Sequence, residues 1–578
     1  MGLIRRILGY TLPYKKLFYG SLFMTLLLSS LAIVRPLLIS RALNEFVIKE
    51  SSVDKLNYIC LVILGFLLLE AFLQAINIRI TNLLGQNIVR DLRNQVYNHI
   101  LHLKNTYFDN TPVGTLVTRA VSDIESLNDV FSQGFIVIAG DIVMLIIFIT
   151  TMFAKNWILA FLAIATIPLL FIATALFKRG VKKTFTLVRN AVASLNTFTQ
   201  EHITGMRLVQ LFNREEKELE KFKVINDQHR VANIKSIFYY SVFFPIVEIL
   251  SSFSIALIIW FVGVKGKTYA VNLGDITFFV MMINMLFRPI RMLADRLNTL
   301  QMGIVSAERV FKVLDTNEKI ENKGTLEFKS VKSAIEFKNV WFAYRNEHYV
   351  LKNVSFKIEA GKTVALIGST GAGKSTIINL LSRFYEYNKG EILIDGIGIR
   401  DLNLESLRKN TGVVLQDVYL FNDSILNNIT LNNPDIKFEN VVNATKQIGL
   451  HEYILSLPGG FSYQVTERGQ SLSAGQRQLI AFIRAFVYQP AVFILDEATA
   501  TIDTQTEILI QKAVEKISEG RTSIIIAHRL STIKHVNKVL VFDKGEIIEE
   551  GTIPELLKTD SRFKKLYELQ NKKEEVGL

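Results

Sequence analysis

Three runs in the second half of the 578-residue chain carry residues able to do phosphate chemistry. The first is GSTGAGKST at 368–376, placed where the strand Val364–Ile367 gives way to a helical pattern. Glycines at 368, 371 and 373 let backbone N–H groups wrap phosphate oxygens, Lys374 neutralises charge on the β- and γ-phosphates, and Ser375 offers a hydroxyl to Mg²⁺. Ser369, Thr370, Ala372 and Thr376 complete the loop and are read with it as nucleotide contacts. The second run, AVFILDEATA at 491–500, is a hydrophobic strand ending in two carboxylates. Asp496 would hold Mg²⁺ directly or through water, and Glu497 would orient or deprotonate an attacking water. A solvated Asp-Glu pair at a helix start is the plainer alternative. His528 follows the strand Ser523–Ile526, which would set an imidazole near a γ-phosphate, although by itself a structural histidine is the commoner use.

The third run is LSAGQ at 472–476, immediately before the predicted helix QRQLIAFIRAF. Ser473 and the exposed N–H groups around Gly475 would form an anion site at that helix start, while the same residues taken alone make an ordinary helix cap. The ordered series resembles ATP-binding-cassette proteins of the exporter type. It extends to Tyr344 in VWFAY and Gln416 in VVLQD, and the motifs together span nearly 190 residues in the family's order. The resemblance implies that Tyr344 stacks on adenine and that Gln416 contacts Mg²⁺ and serves catalysis beside Glu497 and His528. It also implies that Ser473, Gly475 and Gln476 face the ATP held by another subunit's phosphate loop, so that two cassettes sandwich two nucleotides head to tail. TERGQ at 466–470 is typical of exporters and is implied to touch the membrane domain. Asp503 ends ATID at 500–503, where the family usually shows Ser-Ala-Leu-Asp, and Ala474 stands where the family often has Gly.

Stepping along the chain gives the elements that must position these groups. The formal charge of +13 would suit nucleic acid, but in the first half Lys and Arg cluster beside apolar blocks, as cytoplasmic loops require, so no nucleic-acid partner is expected. The apolar excess, 49% hydrophobic with mean hydropathy +0.28, sits before about residue 300. Blocks at 17–39, 57–78, 135–154, 157–177, 238–264 and 273–294 are each near the length needed to cross about 30 Å of hydrocarbon. The first follows Arg5, Arg6, Lys15 and Lys16 as a secretory signal would, but it is too long for one and Arg35-Pro36 interrupts it. Cys60, the single cysteine, lies in the second block and is expected to be buried and inert. Ala154-Lys155-Asn156 forces spans three and four into a tight hairpin, whereas 79–134 and 178–237 are long, polar and helical, each with a break, at Asn110–Gly114 and Thr204-Gly205. Their Lys and Arg content places the N-terminus, both long segments and everything after the sixth span in the cytoplasm. Arg35, Glu70, Asp141 and Glu248 fall in or near the spans and should pair or line a wet cavity.

From residue 336 short β-branched runs alternate with helical stretches, the pattern of an α/β domain with a mostly parallel core sheet. The expected architecture is therefore an all-α six-helix transmembrane domain over 1–314, a polar linker over 315–334, and over 335–578 an α/β P-loop nucleotide-binding domain with a helical subdomain. The resemblance implies half of a transporter that pairs with an identical or related chain and uses ATP and Mg²⁺. It implies ATP-driven export of a hydrophobic or amphipathic molecule, drug-like or lipid, across a bacterial plasma membrane by alternating access. An ATP-gated channel or regulatory membrane protein using the cassettes as a switch is the rival reading.

Overall fold

A computed structural model describes residues 2–49, 52–266, 271–320, 322–345, 347–496, 504–527 and 533–568. Glu497, Asp503 and His528 lie outside them. The chain divides into two compact units, Met1–Leu101 with Pro112–Asn317, and His102–Thr111 with Glu318–Leu578.

In the first unit six helical stretches are long and apolar enough to cross a membrane: Leu12–Lys49, Val53–Leu101, Val113–Lys155, Trp157–Thr204, Glu215–Lys265 and Leu273–Met292. Helices suit that solvent because each backbone N–H and C=O is satisfied within its own segment. The first stretch breaks between helices Lys15–Leu31 and Val34–Arg41, just ahead of Arg35-Pro36. Pro36 brings no N–H to the carbonyl four residues back, which weakens the helix there. The hairpin after span three turns on Asn156, whose extended backbone (φ −158°) reverses the chain while its side chain accepts from the Ile158 and Leu159 N–H groups, both at 3.1 Å. Side-chain oxygens at such a start satisfy N–H groups that have no helical partner.

One core joins Phe148, Met152, Leu159, Val247, Phe278 and Phe287, and a second joins Leu84, Ile88, Leu92, Ile124, Leu127 and Val310. Close approach relies on small residues. A Cβ on Gly140 would stand 2.4 Å from Thr25 Cγ2, and the Ser29 hydroxyl donates to the Gly140 carbonyl at 3.0 Å. Lys155, at the end of span three, pairs with Asp275 at 3.1 Å and donates to Ser40 Oγ at 3.0 Å, tying the same ends of spans one, three and six together. Of the charged residues singled out in the spans, Asp141 pairs with Arg296 and Glu248 with Arg291, whereas Arg35 and Glu70 form no ion pair among the described residues. Cys60 departs from expectation. It is exposed, because Val53–Leu101 packs its neighbours along one narrow stripe and leaves most of the spanning stretch facing outward.

The second unit has two sheets. Strands β1 (Ala334–Phe342), β2 (Leu351–Glu359), β4 (Lys389–Ile394) and β5 (Ile397–Gly398) form an antiparallel sheet in the order β2-β1-β4-β5. The other sheet runs β10-β9-β3-β8-β7-β6, from β3 (Thr363–Gly368), β6 (Thr411–Val414), β7 (Val492–Asp496), β8 (Thr522–Ile526), β9 (Lys538–Asp543) and β10 (Glu546–Gly551). All its pairings are parallel except β9 with β10, as expected for the core. The antiparallel sheet was not expected. β2 alternates buried Val354, Phe356 and Ile358 with polar residues, a half-exposed strand whose single apolar face packs with Phe337 and Ile335. The helix from 79 also ends earlier than its pattern suggests. It stops at Leu101, and Lys104 N–H bonds the Glu318 carbonyl at 2.8 Å instead of continuing the ladder.

Gly140→Leu should destabilise the first unit by about 1–3 kcal/mol through overpacking, whereas Gly65→Leu, with nothing within 4 Å of its added Cβ, should not. Thermal melting of the two purified variants in one detergent checks this, and equal melting temperatures would contradict the packing described.

Candidate active site

The central sheet fixes the site's floor. In its register Leu366 of β3 lies opposite Ile526 of β8, which lies opposite Asp496 of β7, so three parallel strands end at one level. Ligands of open α/β sheets bind beyond such carboxyl ends. From β3 the chain enters Gly368–Gly373 and then the helix Lys374–Leu381, held down by buried Ile377, Ile378, Leu380 and Leu381. Gly373 sits at the helix start with φ +102° and Gly371 at +83°, conformations that disfavour any side chain. Added bulk at Gly373 would strike Leu351 Cδ2 at 2.7 Å, and the Gly545 N–H bonds the Ala372 carbonyl at 3.2 Å, bracing the loop from the β9–β10 turn.

Lys374 is folded back beneath this loop. Its ammonium donates to the Gly368 carbonyl at 2.7 Å and the Ser369 carbonyl at 2.9 Å, and the residue is 5% exposed. Burial pulls its pKa below the ordinary lysine value, and the nearby Asp496 carboxylate opposes that pull. Ser369, Thr370, Gly371 and Ser375 are exposed on the loop's open side, while Thr376 is buried beneath it. Gln416 lies exposed in the segment after β6, and Asp496 is buried at the end of β7. Ser375, Gln416 and Asp496 thus offer a hydroxyl, an amide and a carboxylate from the same edge, the hard oxygen donors that suit Mg²⁺ with phosphate completing its shell.

Tyr344 follows β1, and its hydroxyl lies 3.2 Å from Thr376 Oγ1 and accepts from Asn379 Nδ2 at 3.0 Å, which brings it to the helix after the loop. The ring packs edge-on against Phe342 and Tyr385, with centroids at 4.8 and 5.0 Å. Ser473 stands at the start of the helix Ala474–Val487. Its hydroxyl accepts from the Gln476 N–H at 3.2 Å while the Gln476 side chain accepts from the Ser473 N–H at 2.8 Å. This reciprocal capping box fixes the helix entry. Gly475 is buried in the first turn, and Arg477 donates to the Gly469 and Leu472 carbonyls at 3.3 and 2.8 Å, holding the preceding turn. Buried Leu479, Phe482 and Ile483 on this helix pack with Ile425, Ile429, Val441 and Ile454 in the unit's helical portion.

A further contact falls within YFDNTPVGTLVTRAVSDIE at 107–125, a stretch that in sequence looks like the family's first coupling region, although its partner residues were not legible there. The short helix Asn105–Asn110 belongs to this unit, where Asp109 accepts from the Tyr385 hydroxyl at 2.5 Å and Arg345 donates to Asn110 at 2.9 Å. Burial, and then this bond, raise the Tyr385 pKa. A chain of contacts therefore runs from Thr376 through Tyr344 and Tyr385 to Asp109. The aromatic run RFYEY at 383–387 supplies the other side of this contact.

Residues 18–290 match the model of the ABC transporter transmembrane region, and residues 351–500 match that of the ABC transporter. The chain is 36% identical over 554 residues to "Uncharacterized ABC transporter ATP-binding protein YknV" of Bacillus subtilis, covering 96% of this chain and 92% of that one. It is 35% identical to "Probable multidrug resistance ABC transporter ATP-binding/permease protein YheH" of the same organism, over 88% of this chain and 76% of that one. It is also 33% identical to "ATP-dependent lipid A-core flippase" of Syntrophus aciditrophicus, over 100% and 96% of the two chains.

Tyr344→Ala should weaken ATP binding by about 1–3 kcal/mol, the usual worth of a ring stacked on a base, with less effect on turnover at saturating ATP. Equilibrium titration with a fluorescent ATP analogue measures it, and unchanged affinity would remove Tyr344 from the site. Tyr385→Phe should release residues 102–111 by about 1 kcal/mol, the net value of one hydrogen bond. The readout is faster amide hydrogen exchange confined to that segment, and unaltered exchange there would show that Asp109 does not hold it.

Proposed function

The chain belongs to the ATP-binding-cassette transporter family, and from that premise we propose that it is half of an exporter that moves a hydrophobic or amphipathic molecule, drug-like or lipid. It is an integral membrane protein whose cassette binds ATP and couples hydrolysis to transport. The observation that carries the export reading is one continuous chain with six membrane-length helices ahead of a cassette holding Lys374 beneath its glycine loop. The names of its flippase and multidrug relatives support the substrate class.

Two copies, or this chain and a related one, pair to complete two sites. In each, Gly368–Thr376 of one protomer cradles the phosphates, Tyr344 takes the adenine, and Ser473, Gly475 and Gln476 of the partner close on the γ-phosphate. The capping box supports this assignment by fixing the helix entry, at which the Ala474 and Gly475 N–H groups have no intrahelical acceptor and can meet an anion. Ser375, Gln416 and Asp496 would hold Mg²⁺, which when bound neutralises developing phosphate charge. Glu497 would position the attacking water, His528 would serve the γ-phosphate, and Asp503 would contribute to cassette pairing, as the family resemblance implies. The domains run 1–314 and 335–578, with 315–334 as linker. Both long loops and the cassettes face the cytoplasm of a bacterial cell, as the distribution of Lys and Arg supports. ATP-driven closure of the cassettes turns the membrane cavity from inward- to outward-facing, and hydrolysis resets it.

Glu497→Gln keeps the shape of the side chain but removes the charge that positions water. In proteoliposomes it should bind ATP, lose nearly all steady-state hydrolysis and accumulate as a closed dimer, while the wild type drives uptake of an amphiphile against its gradient. Near-normal hydrolysis by the variant would overturn the role of Glu497. Movement of amphiphile only down its gradient in the wild type would overturn export.

A further inference from the structure

The first unit contains a wide-open cavity of about 830 Å³ along the helix Glu215–Lys265, lined by Phe244, Glu248, Ile249, Ser252, Phe253 and, from the next helix, Leu273–Leu314, Arg291, among others. At about 1.5 Å per residue, Glu248 is roughly 25 Å from the Lys265 end of its helix and Arg291 roughly 27 Å from Leu273. The two charges therefore stand at matching depth, toward the end of the hydrocarbon layer remote from the connection between these helices.

Two ion pairs in this unit differ in how they are closed. Asp141 and Arg296 are shielded, with side chains 12% and 24% exposed. Glu248 and Arg291 are 67% and 30% exposed and stand 3.7 Å apart. That separation exceeds the roughly 2.7–2.9 Å of a charge-assisted hydrogen bond, so the open pair gives up little when a ligand parts it. Two such charges cannot face bare hydrocarbon, so this face borders water or polar ligand groups. Around them Phe244, Ile249 and Phe253 are exposed and apolar.

The pair selects among head groups by charge balance. A cationic amphiphile that takes Glu248 leaves Arg291 without its counter-ion, and an anionic one leaves Glu248 so. At a pair this exposed the imbalance is modest, but it favours the balanced head group. A head group carrying both signs replaces the pair charge for charge, and its chains lie against the aromatic wall. We propose that this cavity is a subsite for a zwitterionic amphiphile of the phospholipid kind, its ammonium on Glu248 and its phosphate on Arg291. The assignment rests on the export reading above and adds the substrate class.

The test uses the full chain in proteoliposomes, with ATP-driven translocation measured for three fluorescent lipids of identical acyl chains. Their head groups are phosphoethanolamine, phosphoglycerol and trimethylammonium. Wild type should favour the zwitterion by about two- to fivefold, the range of an exposed ion pair. Glu248→Gln should shift preference to the anionic lipid and Arg291→Gln to the cationic one. The exchange Glu248→Arg with Arg291→Glu, which restores a pair, should restore the zwitterion and also controls for misfolding of the single variants. The same head-group ranking in all four proteins would overturn the proposal, as would a change in dimerisation alone, which would make this face a contact between protomers. Hydrolysis without translocation of any amphiphile by wild type would instead overturn the export reading, so the two failures are told apart.

Discussion

The ammonium of Lys374 is nearly buried and bonded to the Gly368 and Ser369 carbonyls, with Asp496 as its nearby countercharge. Burial disfavours that charge, and an arriving phosphate relieves the cost. Much of the second unit serves this arrangement. The parallel strands β3, β8 and β7 end together so that the loop and the carboxylate lie at one edge. The glycines accept backbone angles that bring carbonyls and N–H groups within reach, and β9–β10 braces the loop from behind. A site of this kind holds a buried charge at a cost that a bound triphosphate offsets.

The membrane half solves the same problem in another solvent. Backbone polarity is absorbed by helices, and two of the ion pairs there differ in access, Asp141–Arg296 shut and Glu248–Arg291 open. The shut pair reads as architecture, and the open one lies where a cargo would meet charge. The small helix Asn105–Asn110 follows the second span in sequence, and its Asp109 is bonded within the second unit to the tyrosine that packs on Tyr344.

Long apolar blocks and strong punctuation made the spans legible, because a helix in hydrocarbon has little choice of structure. Asn156 and Thr204-Gly205 turned the chain where their residue types demanded. The phosphate loop, Asp496 and the Ser473 cap were legible for the same reason, each being a local motif whose neighbours in sequence are its neighbours in space. What escaped was non-local or half-exposed. β2 carries alternating Lys, Asn and Ser that dilute its apolar signal, and β10 is acidic along one face. The stop at Leu101 depends on a bond to Glu318, more than 200 residues away, and the Tyr385–Asp109 contact spans a greater distance still. Cys60 was misjudged because a helix facing lipid exposes apolar residues that a water-soluble fold would hide.

The central claim is that each ATP site is built from the phosphate loop of one chain and the Ser473 helix of the other. Tandem-linked dimers test it most directly through residual ATP turnover. In one, the first half carries Lys374→Ala and the second Ser473→Arg, so both lesions meet in a single composite site and the other stays intact. In the second, one half carries both substitutions and the other none, so both sites are spoiled. The account predicts greater residual turnover in the first dimer. Greater turnover in the second would show that each site is complete within one chain, and would contradict it.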